Sequence, residues 1–201
     1  MFIRILYAAA VAAVVLLIWG YVFWAVLAVP DKAIRVLPAD DALGAAIAKA
    51  AAQSGSYLWC GDVKDNGPPA AGAGNVLIRQ YQGGPLAHLF YCSGEHGVGP
   101  ISTAARGLLQ LFVAALLAAW LLSTAMPALN SYASRAGFVL VAGMFGTVLV
   151  NLGQPIWFHH PWYYHLVMAV FDCSSALVMG LVLAAVLRPA PGSVWSLDGQ
   201  S

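Results

Sequence analysis

The chain has 201 residues, of which 61% are hydrophobic and only 8% are charged. Soluble domains carry roughly 25% charged residues, so this composition excludes an ordinary water-soluble globule and indicates a membrane protein. The formal net charge is +1 and no basic run occurs. Nucleic acid is therefore excluded as a partner, and the lipid bilayer is the expected surrounding.

Four apolar stretches are long enough to cross a bilayer, since a crossing needs about 20 residues. The first covers residues 5–28 and follows Arg4, as in a signal sequence. We expect it to be retained as an anchor, because it exceeds the roughly 7–15 apolar residues of a signal peptide. The alternative is removal after Ala28. The other spans are predicted over residues 105–126, 137–153 and 163–187.

The one long polar segment, residues 29–104, is expected to form a mini-domain between the first and second spans. Asp40 and Asp41 precede an Ala-rich run and predict a helix over 39–53. Residues 56–60 and 86–92 are predicted strands and 61–75 a loop, while 76–81 fit either a strand or a helix. Cys60 and Cys92 are predicted to form a disulfide; the alternative is two free thiols.

The predicted fold class is an all-α membrane protein of four transmembrane helices, with a small α+β extracytoplasmic insertion between helices 1 and 2. The domains are helix 1 (1–28), the mini-domain (29–104), a three-helix region (105–189) and a cytoplasmic tail (190–201). Basic residues flanking the spans are equally frequent on the two sides, so they do not orient the chain. The anchor-like start and the cysteine pair favour cytoplasmic termini and an extracytoplasmic 29–104.

Asp172 lies inside the fourth span, roughly 13 Å from its outer end. A charge near the bilayer centre costs about 2.5–3.5 kcal/mol, so we expect Asp172 to face the bundle interior. His165 and Ser175 are predicted to form a polar file with it, which Asn151 of the third span could join. One interpretation is a proton or ion path. The alternative is a structural hydrogen bond to a neighbouring helix or another subunit.

Histidines concentrate at the start of the fourth span. His159, His160 and His165, with His96 from the insertion, are candidate ligands for zinc, copper or haem iron, because neutral imidazole suits those ions. Their spacing matches no established ligand motif. The alternative is an interfacial anchor of His, Trp and Tyr side chains. A metal or a haem is thus an open option for a cofactor.

Small residues recur on the fourth span and predict a helix-packing face: Ala169, Cys173, Ala176, Gly180 and Ala184. Cys173 is then a packing residue rather than a nucleophile. The sequence contains no nucleophile elbow, zinc-protease helix or Cys-x-x-Cys pair. It therefore assigns no enzymatic activity.

Three short motifs accompany this layout: Trp19-Gly20, Leu37-Pro38-x-Asp40-Asp41, and Ala-Trp-Leu-Leu-Ser at 119–123. In these the chain resembles a group of uncharacterised small bacterial inner-membrane proteins, and the resemblance implies that location but no activity. The function we expect is an accessory or structural one, in which the protein binds a membrane-protein partner or a second copy. The alternatives are a transporter or proton- or metal-handling protein using Asp172 and the histidines, and a haem- or copper-bearing redox subunit.

Overall fold

The computed structural model describes residues 2–37, 40–51, 53–60, 86–93 and 100–188. The chain divides into two units, residues 1–36 with 98–201 and residues 37–97. In chain order, the helices and strands are α1 (Phe2–Tyr21), α2 (Asp41–Ala50), β1 (Gly55–Cys60), β2 (Leu86–Tyr91), α3 (Pro100–Ala125), α4 (Tyr132–Gly146), α5 (Gly153–Trp157) and α6 (Trp162–Val186). The loop predicted over 61–75, the segment 76–81 and the tail 190–201 lie outside the described residues.

Among the described residues, four helical segments are long and apolar enough to cross a membrane, the number that the sequence predicted. They are Phe2–Val26, Ile101–Ala128, Tyr132–Trp157 and Trp162–Val186. The first and third contain π-helical turns, Val22–Val26 after α1 and Thr147–Asn151 after α4. Short 3-10 turns follow at Pro30–Lys32 and Met126–Ala128.

The third span is longer than the sequence predicted, because α4 begins at Tyr132 and not at Gly137. Ser131 caps the helix: its hydroxyl accepts from the backbone N–H of Ser134 at 3.0 Å, and the Ser134 hydroxyl reaches back to the Ser131 N–H at 3.1 Å. This reciprocal arrangement satisfies two backbone donors at the helix start. As a result Arg135, which precedes the predicted span 137–153, lies inside the helix.

Small residues hold the helices of the first unit together. Helix α1 packs against α3 and α6, and α6 packs against α4. A Cβ at Gly143 of α4 would overlap the methyl group of Ala176 on α6. One at Gly180 would lie 2.6 Å from the carbonyl oxygen of Ala136. Glycine is therefore required at both positions, and the predicted small-residue face of the fourth span does contact a neighbouring helix.

The core of this unit lies where the first turns of α1 meet the last turns of α6. It is built from fully or nearly buried aliphatic side chains: Ile5, Ala8, Ala9, Ala12, Ala115, Ala119, Leu122, Val139, Leu183 and Leu187. Half of these residues are alanines, so the helix backbones approach closely. Leucines fill the remaining space at the end of the bundle where α1 and α4 begin.

The second unit contains α2 and a two-stranded antiparallel sheet. The Asp40 side chain caps α2 by accepting from the Ala42 N–H at 2.8 Å, so the helix begins at Asp41. It ends at Ala50 and is therefore shorter than the predicted 39–53. Strands β1 and β2 pair from Gly55 opposite Tyr91 to Cys60 opposite Leu86. The two strand predictions are thus confirmed, and β1 begins at Gly55.

The predicted disulfide between Cys60 and Cys92 is not formed, and Cys92 is an exposed free thiol. The strand register gives the reason. Cys60 pairs with Leu86, and Cys92 lies six residues further along, which is about 20 Å at the rise of an antiparallel strand. Disulfides join Cα atoms roughly 4.4–6.8 Å apart, so this hairpin keeps the two cysteines at opposite ends.

Candidate functional site

A chain of hydrogen-bonded polar side chains joins the third and fourth spans. It consists of His160, His165, Asn151 and Asp172. Asn151 ends the π-helical turn after α4, where the Leu152 N–H bonds the Thr147 carbonyl oxygen at 3.0 Å. In a π-helical turn each backbone N–H bonds the carbonyl five residues earlier instead of four, so the turn changes the direction of the side chains that follow it. Such turns are frequent at functional sites. Here it coincides with the point at which Asn151 reaches α6.

Asn151 makes the central contacts of this chain. Its Oδ1 lies 2.6 Å from His165 Nδ1, and its Nδ2 lies 3.1 Å from Asp172 Oδ2 and 3.4 Å from the His165 carbonyl oxygen. Beyond His165, the Nε2 of that ring lies 3.2 Å from Nδ1 of His160. The carboxamide thus uses its acceptor and its amide hydrogens together, all towards α6.

When His165 is neutral, the chemistry of these groups fixes the direction of every bond. Asn151 Oδ1 only accepts, so His165 Nδ1 carries a hydrogen and donates to it. In a neutral imidazole the other nitrogen is then an acceptor, and His160 donates to His165 Nε2. Asn151 Nδ2 in turn donates to the Asp172 carboxylate. All donors therefore point from His160, at the start of the fourth span, towards Asp172, about 15 Å inside it.

The predicted polar file is only partly realised. His165 is buried and joined to Asp172 through Asn151, as the file requires. Ser175 does not belong to it, because its buried Oγ has no hydrogen-bond partner within the described ranges. The file consequently ends at Asp172 and does not continue towards the other end of α6.

The histidines do not form a metal centre within the described residues, where no group of three or more His, Cys, Asp or Glu side chains is placed to hold an ion. His160 and His165 stack, with ring centroids 5.3 Å apart and planes inclined by 25°. His159 is exposed, with a backbone φ of 54°. The remaining candidate, His96, lies outside the described residues, and neither copper, zinc nor haem gains support from the others.

An aromatic cluster encloses the other side of α6. Phe171, next to Asp172 in sequence, packs on Phe23 and Trp24 with ring centroids 4.9 and 5.8 Å apart. One turn further, Trp19 donates its indole N–H to Ser174 at 3.2 Å. These aromatic residues of the first span thus bind the second half of that span to α6.

A second polar feature lies on the outside of the bundle. Gln110, on α3, is exposed and has no hydrogen-bond partner among the described residues. It lies nine residues, about 14 Å, after Ile101, where the candidate span begins. Its surroundings on that face of α3 are exposed and mostly apolar: Val113, Leu117 and Trp120. We refer to Gln110 and these three residues as the outer face of α3.

No protein-family model, curated protein or solved structure matches this chain. The site must therefore be interpreted from its own geometry.

Sequence reasoning gave no role to two polar residues that the structure singles out. Gln110 is the only strongly polar side chain inside the second span, and that isolation was the available signal. Arg135 precedes the predicted third span, but it lies inside α4, its side chain is only 6% exposed, and its Nε has no hydrogen-bond partner among the described residues. The signal for Arg135 was Ser131, because serine is a preferred residue at the start of a helix.

Proposed function

We propose that this chain is a small accessory protein of the bacterial inner membrane, which binds another membrane polypeptide through the outer face of α3. The observation that carries the proposal is the position of Gln110, about one third of the way along the second span and exposed on the outside of the bundle. The resemblance to small bacterial inner-membrane proteins supports the location. Cytoplasmic termini and an extracytoplasmic segment 29–104 remain part of the proposal. Because the cysteine pair does not form a disulfide, the anchor-like first span is the one feature left that favours this orientation.

The environment of Gln110 explains why a partner is expected. In hydrocarbon no water is available, so an unpaired carboxamide costs free energy that a hydrogen bond from another helix would recover. Asn151 shows how the same functional group is satisfied within this protein, by α6. Gln110 has no such neighbour within the described chain, and a helix of a second polypeptide supplies the missing donor and acceptor.

Crosslinking tests the proposal directly. A photoreactive amino acid at Val113, on the outer face of α3, should crosslink to the partner in native membranes, and Gln110→Leu should reduce that yield roughly three- to twentyfold, from the 0.6–1.7 kcal/mol of interhelical hydrogen bonds. Thr124→Val is the matched control. Thr124 is also exposed on α3, but its hydroxyl bonds the Leu121 carbonyl oxygen of its own helix at 2.7 Å.

The identity of the crosslinked species decides between kinds of association. A product of chain plus another polypeptide supports the accessory role and allows the partner to be identified by mass spectrometry. A product of two identical chains assigns the face to a homo-oligomer. If Val113 gives no product, or if Gln110→Leu and Thr124→Val give the same yield as the unmodified face, the proposal is wrong.

A second candidate function is proton or cation handling, favoured by the directed chain from His160 to Asp172. Histidines at the start of the span and a carboxylate at its middle are what an entry path with a binding site needs. The carboxamide of Asn151 does not pass a proton along as water or imidazole does. In this candidate Asn151 therefore orients the two ends, and Asp172 is the group that binds the proton or cation.

Asp172→Asn tests this candidate in reconstituted vesicles with a pH-sensitive dye inside. The replacement keeps an oxygen that accepts from Asn151 but removes the ionisable group, so proton uptake should disappear while membrane abundance stays unchanged. Ser175→Ala, three residues away on α6 and outside the chain, is the control that should keep full uptake. Equal loss of abundance in Asp172→Asn would instead assign Asp172 to helix packing.

A further inference from the structure

Arg135 is a buried cation that has no counter-charge among the described residues. It lies one turn into α4, its side chain is 6% exposed, and its buried Nε has no hydrogen-bond partner in that part of the chain. No other side chain in the described part of the chain bonds its guanidinium. Arginine does not lose its proton in proteins, so the charge persists and its burial must be offset by an anion or a comparable group.

The bundle itself supplies no such group in its described part, where the carboxylates are Asp31 and Asp172. Gly180 contacts Ala136, beside Arg135, and Asp172 is eight residues, about 12 Å, from Gly180 along α6. Asp172 is also bonded to Asn151. Asp31 follows the far end of α1, roughly 30 Å along the span from the core in which Ile5 lies.

Other features of this end of the bundle also favour an anion. Side chains on a helix lean towards its N-terminus, so Arg135 leans towards the start of α4, where the helix dipole is positive. Arg4, one residue before Ile5, and Arg188, one residue after Leu187, lie at the same end, since Ile5 and Leu187 share one core cluster. Three arginines therefore lie at this end of the bundle, with no described carboxylate among them.

We propose that Arg135 binds a phosphate group at the end of the bundle where α4 begins, and that a phospholipid headgroup supplies it. The guanidinium can donate two parallel hydrogen bonds to two phosphate oxygens, and the phosphate also supplies the compensating negative charge. A carbonyl oxygen or a water does not offer both. Arg135 lies three residues, about 4.5 Å, inside the candidate span that starts at Tyr132. That depth is the headgroup level of a bilayer, and basic pockets between transmembrane helices bind anionic headgroups there.

Native mass spectrometry of the detergent-solubilised full chain, titrated with phosphatidylglycerol, tests the site. Arg135→Met should weaken binding of the first lipid roughly fivefold to tenfold. Arg106→Gln is the control and should retain most of the affinity. Arg106 is exposed and lies near the start of α3, whereas Leu122, near the other end of α3, packs with Ile5 at the end of the bundle that holds Arg135. Arg135→Lys keeps the positive charge without the forked guanidinium and should give an intermediate affinity. This second variant keeps the test decisive if Arg135→Met does not fold.

A parallel thermal-unfolding series distinguishes the source of the phosphate. Phosphatidylglycerol should raise the unfolding temperature of the unmodified chain and not that of Arg135→Met, whereas millimolar inorganic phosphate in lipid-depleted detergent should have little effect. An equal rise with inorganic phosphate alone would overturn the lipid assignment and leave a free phosphate as the ligand. Equal lipid binding by the unmodified chain and both Arg135 variants would overturn the site itself. A loss of stability in Asp198→Asn equal to the loss in Arg135→Met would also overturn the site, because the counter-charge would then come from the chain's own tail.

Discussion

Replacing Asn151 by leucine should destabilise the bundle more than any other polar substitution within it. The change removes contacts of 2.6 Å to His165 Nδ1, 3.1 Å to Asp172 Oδ2 and 3.4 Å to the His165 carbonyl oxygen. Hydrogen bonds between transmembrane helices contribute about 0.6 kcal/mol on average and up to about 1.7 kcal/mol. The longest contact is weak by its length, so the three together predict a loss of roughly 1.5–3 kcal/mol.

The free energy of unfolding in mixed detergent micelles, followed by tryptophan fluorescence, measures this loss. Ser175→Ala is the matched control on α6, because it removes a buried hydroxyl that has no partner and should leave stability unchanged or slightly raised. A double-mutant cycle with Asp172→Leu should give a coupling of about 1 kcal/mol, since Asn151 and Asp172 are in direct contact. A change below about 0.5 kcal/mol for Asn151→Leu would refute the assignment of Asn151 as the link between α4 and α6.

Two further predictions follow from the packing and from the hairpin. Gly143→Ala should destabilise the bundle by about 1–3 kcal/mol, because its methyl group would overlap Ala176. Gly146→Ala, three residues later in open space, should be neutral or stabilising. Equal effects of the two substitutions in the micelle assay would contradict the packing. Cys92 should react fully with a water-soluble maleimide without prior reduction, and a reductant should not increase the labelling seen by mass spectrometry; an increase would indicate a disulfide after all.

The spans and the strands could be predicted from sequence because each depends on a local pattern. A run of about 20 apolar residues identifies a crossing whatever surrounds it. The hydrophobic runs in β1 and β2 likewise predicted strands. The disulfide could not be settled in this way, since it depends on the register between strands far apart in sequence. The pairing of Cys60 with Leu86 depends on both strands together, and the sequence of either strand alone does not predict it.

The candidate site was predictable in its members but not in its connections. Asp172 and His165 share a helix face by spacing, and Asn151 was a plausible third member. That Asn151 bonds both depends on the π-helical turn after α4, which no residue pattern in Thr147–Asn151 announces. The exclusion of Ser175 depends on what surrounds its side chain. Arg135 was misplaced for a related reason, because the helix start at Ser131 is set by a capping contact between two serines.

Two carboxamides inside the spans, Asn151 and Gln110, separate the stability of this protein from its association. Asn151 is fully bonded inside the bundle, so its loss should lower the unfolding free energy and leave crosslinking from Val113 unchanged. Gln110 is unpaired and exposed, so Gln110→Leu should leave the unfolding free energy of the isolated chain unchanged or raised and should reduce crosslinking. Measured on the same preparations, the two substitutions should therefore give opposite patterns. If Gln110→Leu lowers stability as Asn151→Leu does, Gln110 belongs to the bundle interior and the outer face of α3 is not a docking surface.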